Sequence, residues 1–106
     1  FGEALHAART GSEEALQLVP KWMAKQGPES TAIVRATLLQ EFARFYPRQA
    51  ALLGREATKD ASPLIRRAAT TALGTIPDPG TRAIAEKPLL ADPVRSVRVE
   101  AASQIA

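Results

Sequence analysis

The chain has 106 residues, 45% of them hydrophobic, 24% charged and only 5% aromatic, with 14 Lys and Arg against 11 Asp and Glu for a net charge of +3. This is one ordinary globular domain's worth of sequence, and its wealth of Ala and Leu favours close-packed helices over a sandwich or barrel. The absence of Cys excludes disulfides, thiolate catalysis and covalent c-type haem attachment within the chain, and no uncharged apolar run reaches the roughly 18 residues of a membrane span.

The charge is unevenly spread. Residues 32–76 carry Arg35, Arg44, Arg48, Arg55, Lys59, Arg66 and Arg67 against Glu41, Glu56 and Asp60, while the flanking thirds are close to neutral. Phe1 is not an initiator Met and Ile105-Ala106 stops without a helix cap. The expectation is a piece of a longer polypeptide.

A short helix is expected over Phe1–Arg9, with Phe1, Leu5 and Ala8 on one side and Thr10-Gly11 ending it. Ser12 then caps a second helix whose first turn carries Glu13 and Glu14, well placed for the helix dipole. Leu16, Val19 and Met23 form its apolar stripe, and Pro20 should kink it. After the break at Gln26-Gly27-Pro28, a third helix runs from Glu29 or Ser30 to Phe45, with Val34, Leu38, Phe42 and Phe45 facing the core.

Arg48–Lys59 is expected as the next helix, with Leu52, Leu53 and Ala57 inside. Ser62 and Pro63 read as the cap and first residue of a helix over Leu64–Leu73. Its apolar positions Ile65, Ala68, Ala69, Ala72, Leu73 and Ile76 fall at i, i+3, i+4, i+7, i+8 and i+11, the cleanest helical signal in the chain. Gly74–Gly80 is a turn. Thr81–Leu90 follows, with Ile84, Leu89 and Leu90 as its apolar residues and a kink or reset at Pro88, and Asp92-Pro93 starts the last helix.

The stretch Asp60–Leu73 recurs as Asp92–Ile105, 32 residues on, and more faintly as Val34–Phe42, 31 residues before its helix. Three ridges align without gaps: Val34/Leu38/Phe42, Ile65/Ala69/Leu73 and Val97/Ala101/Ile105. Just after each ridge begins stands an arginine (Arg35, Arg66, Arg98), and five positions before each ridge an acid (Glu29, Asp60, Asp92). Such a ladder lets the carboxylate of one loop pair with an arginine of a neighbouring repeat and set the register.

These residues, Asp60…Ile65-Arg66…Ala69…Ala72-Leu73 and Asp92-Pro93…Val97-Arg98…Ala101-Ala102, resemble the HEAT repeat in the short form of the phycobilisome-lyase type. The resemblance implies an all-α fold, an α-α superhelix of about three helix pairs plus an N-terminal helix. Residues 1–106 would then be a single HEAT-like domain with repeats at about 12–46, 47–76 and 77–106. The strings Phe1–Arg9, Ile33–Thr37 and Pro88–Ala102 are similar to the HEAT section of large exported multihaem cytochromes that also carry tetratricopeptide repeats. That resemblance implies a periplasmic parent whose redox chemistry lies elsewhere in the polypeptide, with no cofactor held here.

No catalytic constellation is visible. His6 has no second His, Cys or convergent carboxylates beside it, and Glu13-Glu14 is explained by the helix dipole. A phosphate loop, a metal-ligand spacing and a nucleophile elbow are all lacking, so an enzyme is not expected. Nucleic acid is the rival partner, through Arg44, Arg48, Arg55, Lys59 and Arg67, but Glu41 and Glu56 interrupt the series and no aromatics interleave for base stacking. Solvated helix surface is the preferred reading of those cations. A chromophore- or haem-handling module is the other alternative.

The expected function is a non-catalytic scaffold that docks another protein or another segment of the parent chain. The strip opposite the ridges, with Leu39 and Gln40, then Arg67, Thr70 and Thr71, then Val99 and Ser103, is small, neutral and partly apolar, and is the expected partner-binding face. Leu39 and Val99 have a second reading, as residues covered by adjacent repeats. Apolar end faces of the stack could also pair two copies of the isolated piece.

Overall fold

The computed structural model of the protein describes residues 2–24 and 29–105, with Glu29 and Ser30 described by backbone alone. Those residues form seven α-helices: α1 Gly2–Thr10, α2 Ala15–Met23, α3 Glu29–Phe45, α4 Pro47–Ala57, α5 Pro63–Leu73, α6 Pro79–Leu90 and α7 Arg95–Ile105. They make a slab of 34 × 31 × 16 Å. One layer holds α1, α3, α5 and α7 side by side, and the other holds α2, α4 and α6, each packed on the helix that follows it. Expected all-α pairing and observed pairing agree, and α1 takes the place of a further helix in the first layer.

The layers differ in how tightly neighbours meet. α3 packs closely on α5, and α5 on α7, whereas α2 barely meets α4 and α4 hardly touches α6. A two-layer stack whose helices crowd in one layer and splay in the other must curve, with the crowded layer inside. The α1-α3-α5-α7 layer is therefore the concave one.

The ridges form the core as expected apart from Ile105, which is only partly buried at the end of α7. Leu38, Phe42, Ile65, Ala69, Leu73, Val97 and Ala101 are fully buried, and Val34 packs against them. Facing residues on the convex layer are Val19 and Met23 of α2, Ala50, Gly54 and Ala57 of α4, and Leu89 of α6.

Several apolar residues expected inside turn outward. Leu16 is 36% exposed. Residues 13 and 14 form a tight turn, with the Leu16 amide donating to the Glu13 carbonyl and Ser12 Oγ accepting from the Glu14 amide, so α2 starts at Ala15 and buries Ala15, Val19 and Met23. In α4, Leu52 is 65% exposed and small residues face inward. A Cβ on Gly54 would stand 3.2 Å from Ala72 Cβ and 3.3 Å from Leu73 Cγ, so α4 and α5 are too close for leucine between them. In α6, Ile84 is 75% exposed while Glu86 and Leu89 point inward, and the helix runs through Pro88 without a break. Phe45 is half exposed, its ring lying over Gly11, where φ is +71°. Phe1 and the Gln26-Gly27-Pro28 break lie outside the described residues, as does the side chain of Glu29.

The ladder is built as its spacing predicts. Arg35 Nη2 lies 3.0 Å from Asp60 Oδ2, and Arg66 grips Asp92 with Nε at 2.6 Å and Nη2 at 3.2 Å. Each arginine also reaches a backbone carbonyl: Arg35 that of Met23, Arg66 those of Asp60 and Ala61, and Arg98 that of Asp92. The aspartates meanwhile accept from the backbone two residues on, Asp60 from the Ser62 amide and Asp92 from the Val94 amide. One carboxylate thus shapes the loop that starts its helix and ties it to the previous repeat.

Candidate functional site

On the concave layer, a hollow of about 280 Å³ opens between α3 and α5 and reaches Glu100 of α7. Its apolar rim is Ile33 and Leu64, 62% and 41% exposed, which occupy equivalent positions 31 residues apart. Between them lie Ala36, Thr37 and Gln40 of α3, and Arg67 and Thr71 of α5. The spacing of 33, 36, 37 and 40 places all four on one helix face, as does that of 64, 67 and 71. Arg67 makes no ion pair among the described residues. Glu100 accepts a hydrogen bond from Gln104 Nε2 at 3.2 Å, and the Thr37 hydroxyl donates to the Ile33 carbonyl at 2.8 Å. The hollow therefore offers one guanidinium, one carboxylate and an amide on an apolar bed.

The expected partner-binding residues divide. Gln40, Arg67 and Thr71 line the hollow, and Val99 (58% exposed) and Ser103 are exposed on α7. Leu39 and Thr70 do not belong to the surface: both are fully buried. Helix α3 lies between α1 and α5, and α5 between α3 and α7, so both helices are flanked on two sides within their own layer. Of the two readings of Leu39 and Val99, burial holds for the first and exposure for the second. The Thr70 hydroxyl is satisfied locally, donating to the Arg67 carbonyl at 2.6 Å. Ile33, Leu64 and Glu100 were missed. The equivalence of Ile33 and Leu64, one position before each ridge, is the signal that could have found two of them.

Glu86 is a buried residue of α6, with 0% exposure and neither carboxyl oxygen hydrogen-bonded. Burial first, and the charge of Glu100 second, push its pKa from 4.5 to about 8 against the opposing pull of Arg82. Asp92 goes the other way. Burial alone would raise it, but hydrogen bonds from Arg66 and the Val94 amide and the charges of Arg66 and Arg98 hold it below its ordinary 3.8.

His6 is exposed on α1. Among the described residues no group of three or more His, Cys, Asp and Glu could hold a metal ion, and no helix is long and apolar enough to cross a membrane. The basic residues of the middle of the chain do not share one face. Arg44 pairs with Glu41 at 3.1 Å, Arg67 lines the concave hollow, and Arg48, Arg55 and Lys59 line the convex layer.

Two curved layers of paired helices, repeating every 31–32 residues and tied by an arginine–aspartate ladder, define an α-α solenoid of the helical-repeat class. The family model for HEAT repeats matches residues 28–106, and the chain belongs to the HEAT-repeat family. A search of curated proteins and a search of solved structures each returned no match.

Proposed function

We propose that the chain is a protein-interaction scaffold and that its concave hollow docks a segment of another protein or of its own parent polypeptide. One observation carries the reading. Ile33, Leu64 and Val99 stand exposed on the concave layer while smaller residues of the same helices are buried, and exposed apolar residues gathered on one face of a repeat stack mark an interaction surface. Arg67, Gln40 and Glu100 give that surface polar anchors that fix the orientation of the segment. HEAT repeats generally mediate protein interactions without catalysis, and this module is read as non-catalytic.

Photo-crosslinking tests it. A benzoylphenylalanine at Gln40 or Ser103 is expected to give discrete protein adducts in the native cell, and the same group at Lys21, exposed on α2 of the convex layer, is not. Equal adducts from all three positions, or none, would overturn the proposal.

The setting we propose is an exported multihaem electron-transfer protein, which places the module in the periplasm. Its support is the likeness of Phe1–Arg9, Ile33–Thr37 and Pro88–Ala102 to that family's HEAT section. Cys-x-x-Cys-His motifs in the adjoining sequence are the expected finding, and adjoining sequence without them removes the setting while leaving the scaffold reading intact.

A further inference from the structure

The convex layer carries a second surface of different chemistry. Because α4 and α6 hardly touch, a groove opens between them. Its first part, about 390 Å³, is walled by Ala51 and Leu52 of α4 and by Ile76 and Pro77 of the connection to α6. Its second part, about 350 Å³, is walled by Ile84, Ala85 and Pro88 of α6. Arg55 lines both and joins them. Leu52 and Ile84, on opposite banks, are 65% and 75% exposed, two of the most exposed large apolar side chains described.

The groove is one-sided in charge. Arg48, Arg55 and Lys59 line it, and among the described residues no carboxylate does. Glu56 lines a different hollow, on the α2 side of α4, beside Leu53 and Asp60. Asp78, which follows Pro77, is spent on the start of α6, accepting from the Thr81 amide at 2.8 Å and the Thr81 hydroxyl at 2.7 Å. Arg48 and Arg55 lie on α4 and Lys59 in the turn just beyond its end, a rise of about 16 Å along the helix axis. That length matches about five residues of extended chain.

We propose that the α4–α6 groove docks a short acidic segment of a partner protein, whose apolar side chains seat between Leu52 and Ile84 and whose carboxylates meet Arg48, Arg55 and Lys59. Guanidinium groups favour carboxylates through bidentate hydrogen bonds. An apolar groove floor, with no aromatic side chain among the described residues that line it, argues for a peptide over a nucleic acid, which needs a run of phosphate contacts.

The test uses the 106-residue chain and three fluorescein-labelled probes at 50 mM salt: a ten-residue peptide alternating Glu and Leu, its Gln-for-Glu counterpart, and a ten-nucleotide single-stranded DNA. Fluorescence anisotropy should show the acidic peptide binding at least tenfold more tightly than either control. Arg55→Glu and Leu52→Ser, both on exposed positions and checked for unchanged circular dichroism, should each weaken that binding at least fivefold. Amide shifts on adding the peptide should cluster on α4 and α6. Shifts on α3 and α5 instead would move the binding to the concave hollow and overturn the groove. Tighter binding of the DNA, or equal binding of the Gln peptide, would overturn the acidic-segment reading.

Discussion

Arg66 and Asp92 face each other across the boundary between successive repeats, with Nε 2.6 Å from Oδ2 and Nη2 3.2 Å from Oδ1. Arg66 also donates to the carbonyls of Asp60 and Ala61, and Asp92 also accepts from the Val94 amide. The pair is largely buried, at 13% and 4% side-chain exposure. Removing one member therefore strands the other away from water, a larger loss than the pair's net worth.

Asp92→Asn is expected to destabilise the chain by about 2–4 kcal/mol in chemical denaturation. Because the Asp92 pKa lies below its ordinary 3.8 in the folded chain, its contribution is present above that value. It is lost as pH falls below 3.8 through the folded pKa. Wild-type stability should thus fall more steeply than that of Asp92→Asn below about pH 4. Parallel slopes there would contradict the bidentate pair.

Glu86 has the opposite sign. Its folded pKa of about 8 exceeds the ordinary 4.5, so its contribution is intact below about pH 4.5 and is lost as pH rises through 8. Wild-type stability should decline from pH 5 to pH 9, and Glu86→Gln should flatten that decline. At pH 9 the variant should be more stable than wild type by roughly 2–4 kcal/mol, since ionising Glu86 in place charges a buried carboxyl whose oxygens accept no hydrogen bond. Urea midpoints at the two pH values measure it.

Gly11→Ala is expected to cost about 2–3 kcal/mol. Its φ of +71° penalises any side chain, and a Cβ there would stand 2.7 Å from Phe45 Cδ1. The same residue's carbonyl accepts from the Tyr46 hydroxyl at 2.8 Å. Loss of the tyrosine's near-ultraviolet dichroism should therefore accompany the drop in melting temperature.

Leu39→Glu and Val99→Glu separate the two surfaces that the sequence could not. The first places a charge at a fully buried position and should cost more than 4 kcal/mol or abolish folding. The second lies at a 58% exposed position and should change stability by less than about 1 kcal/mol. Thermal unfolding followed by circular dichroism distinguishes them.

By itself the sequence determined the helices, their period and the ladder. A ridge at i, i+4 and i+8 must bury one face, and Arg35, Arg66, Asp60 and Asp92 fall at offsets that only a stacked repeat brings together. Gln40, Arg67 and Thr71 were legible as surface for the same reason, lying opposite the ridges. Tertiary structure alone decided the flanks. Leu39 and Thr70 are covered because helices of the concave layer have neighbours on both sides, whereas Leu52 and Ile84 are bare because the curve of the stack splays α4 from α6. Periodicity along one helix reports the direction of its strongest packing partner. It carries no record of how close the next helix stands. Close approach between α4 and α5 is what sends Gly54 inward and Leu52 outward, and curvature is what leaves the groove between α4 and α6 open.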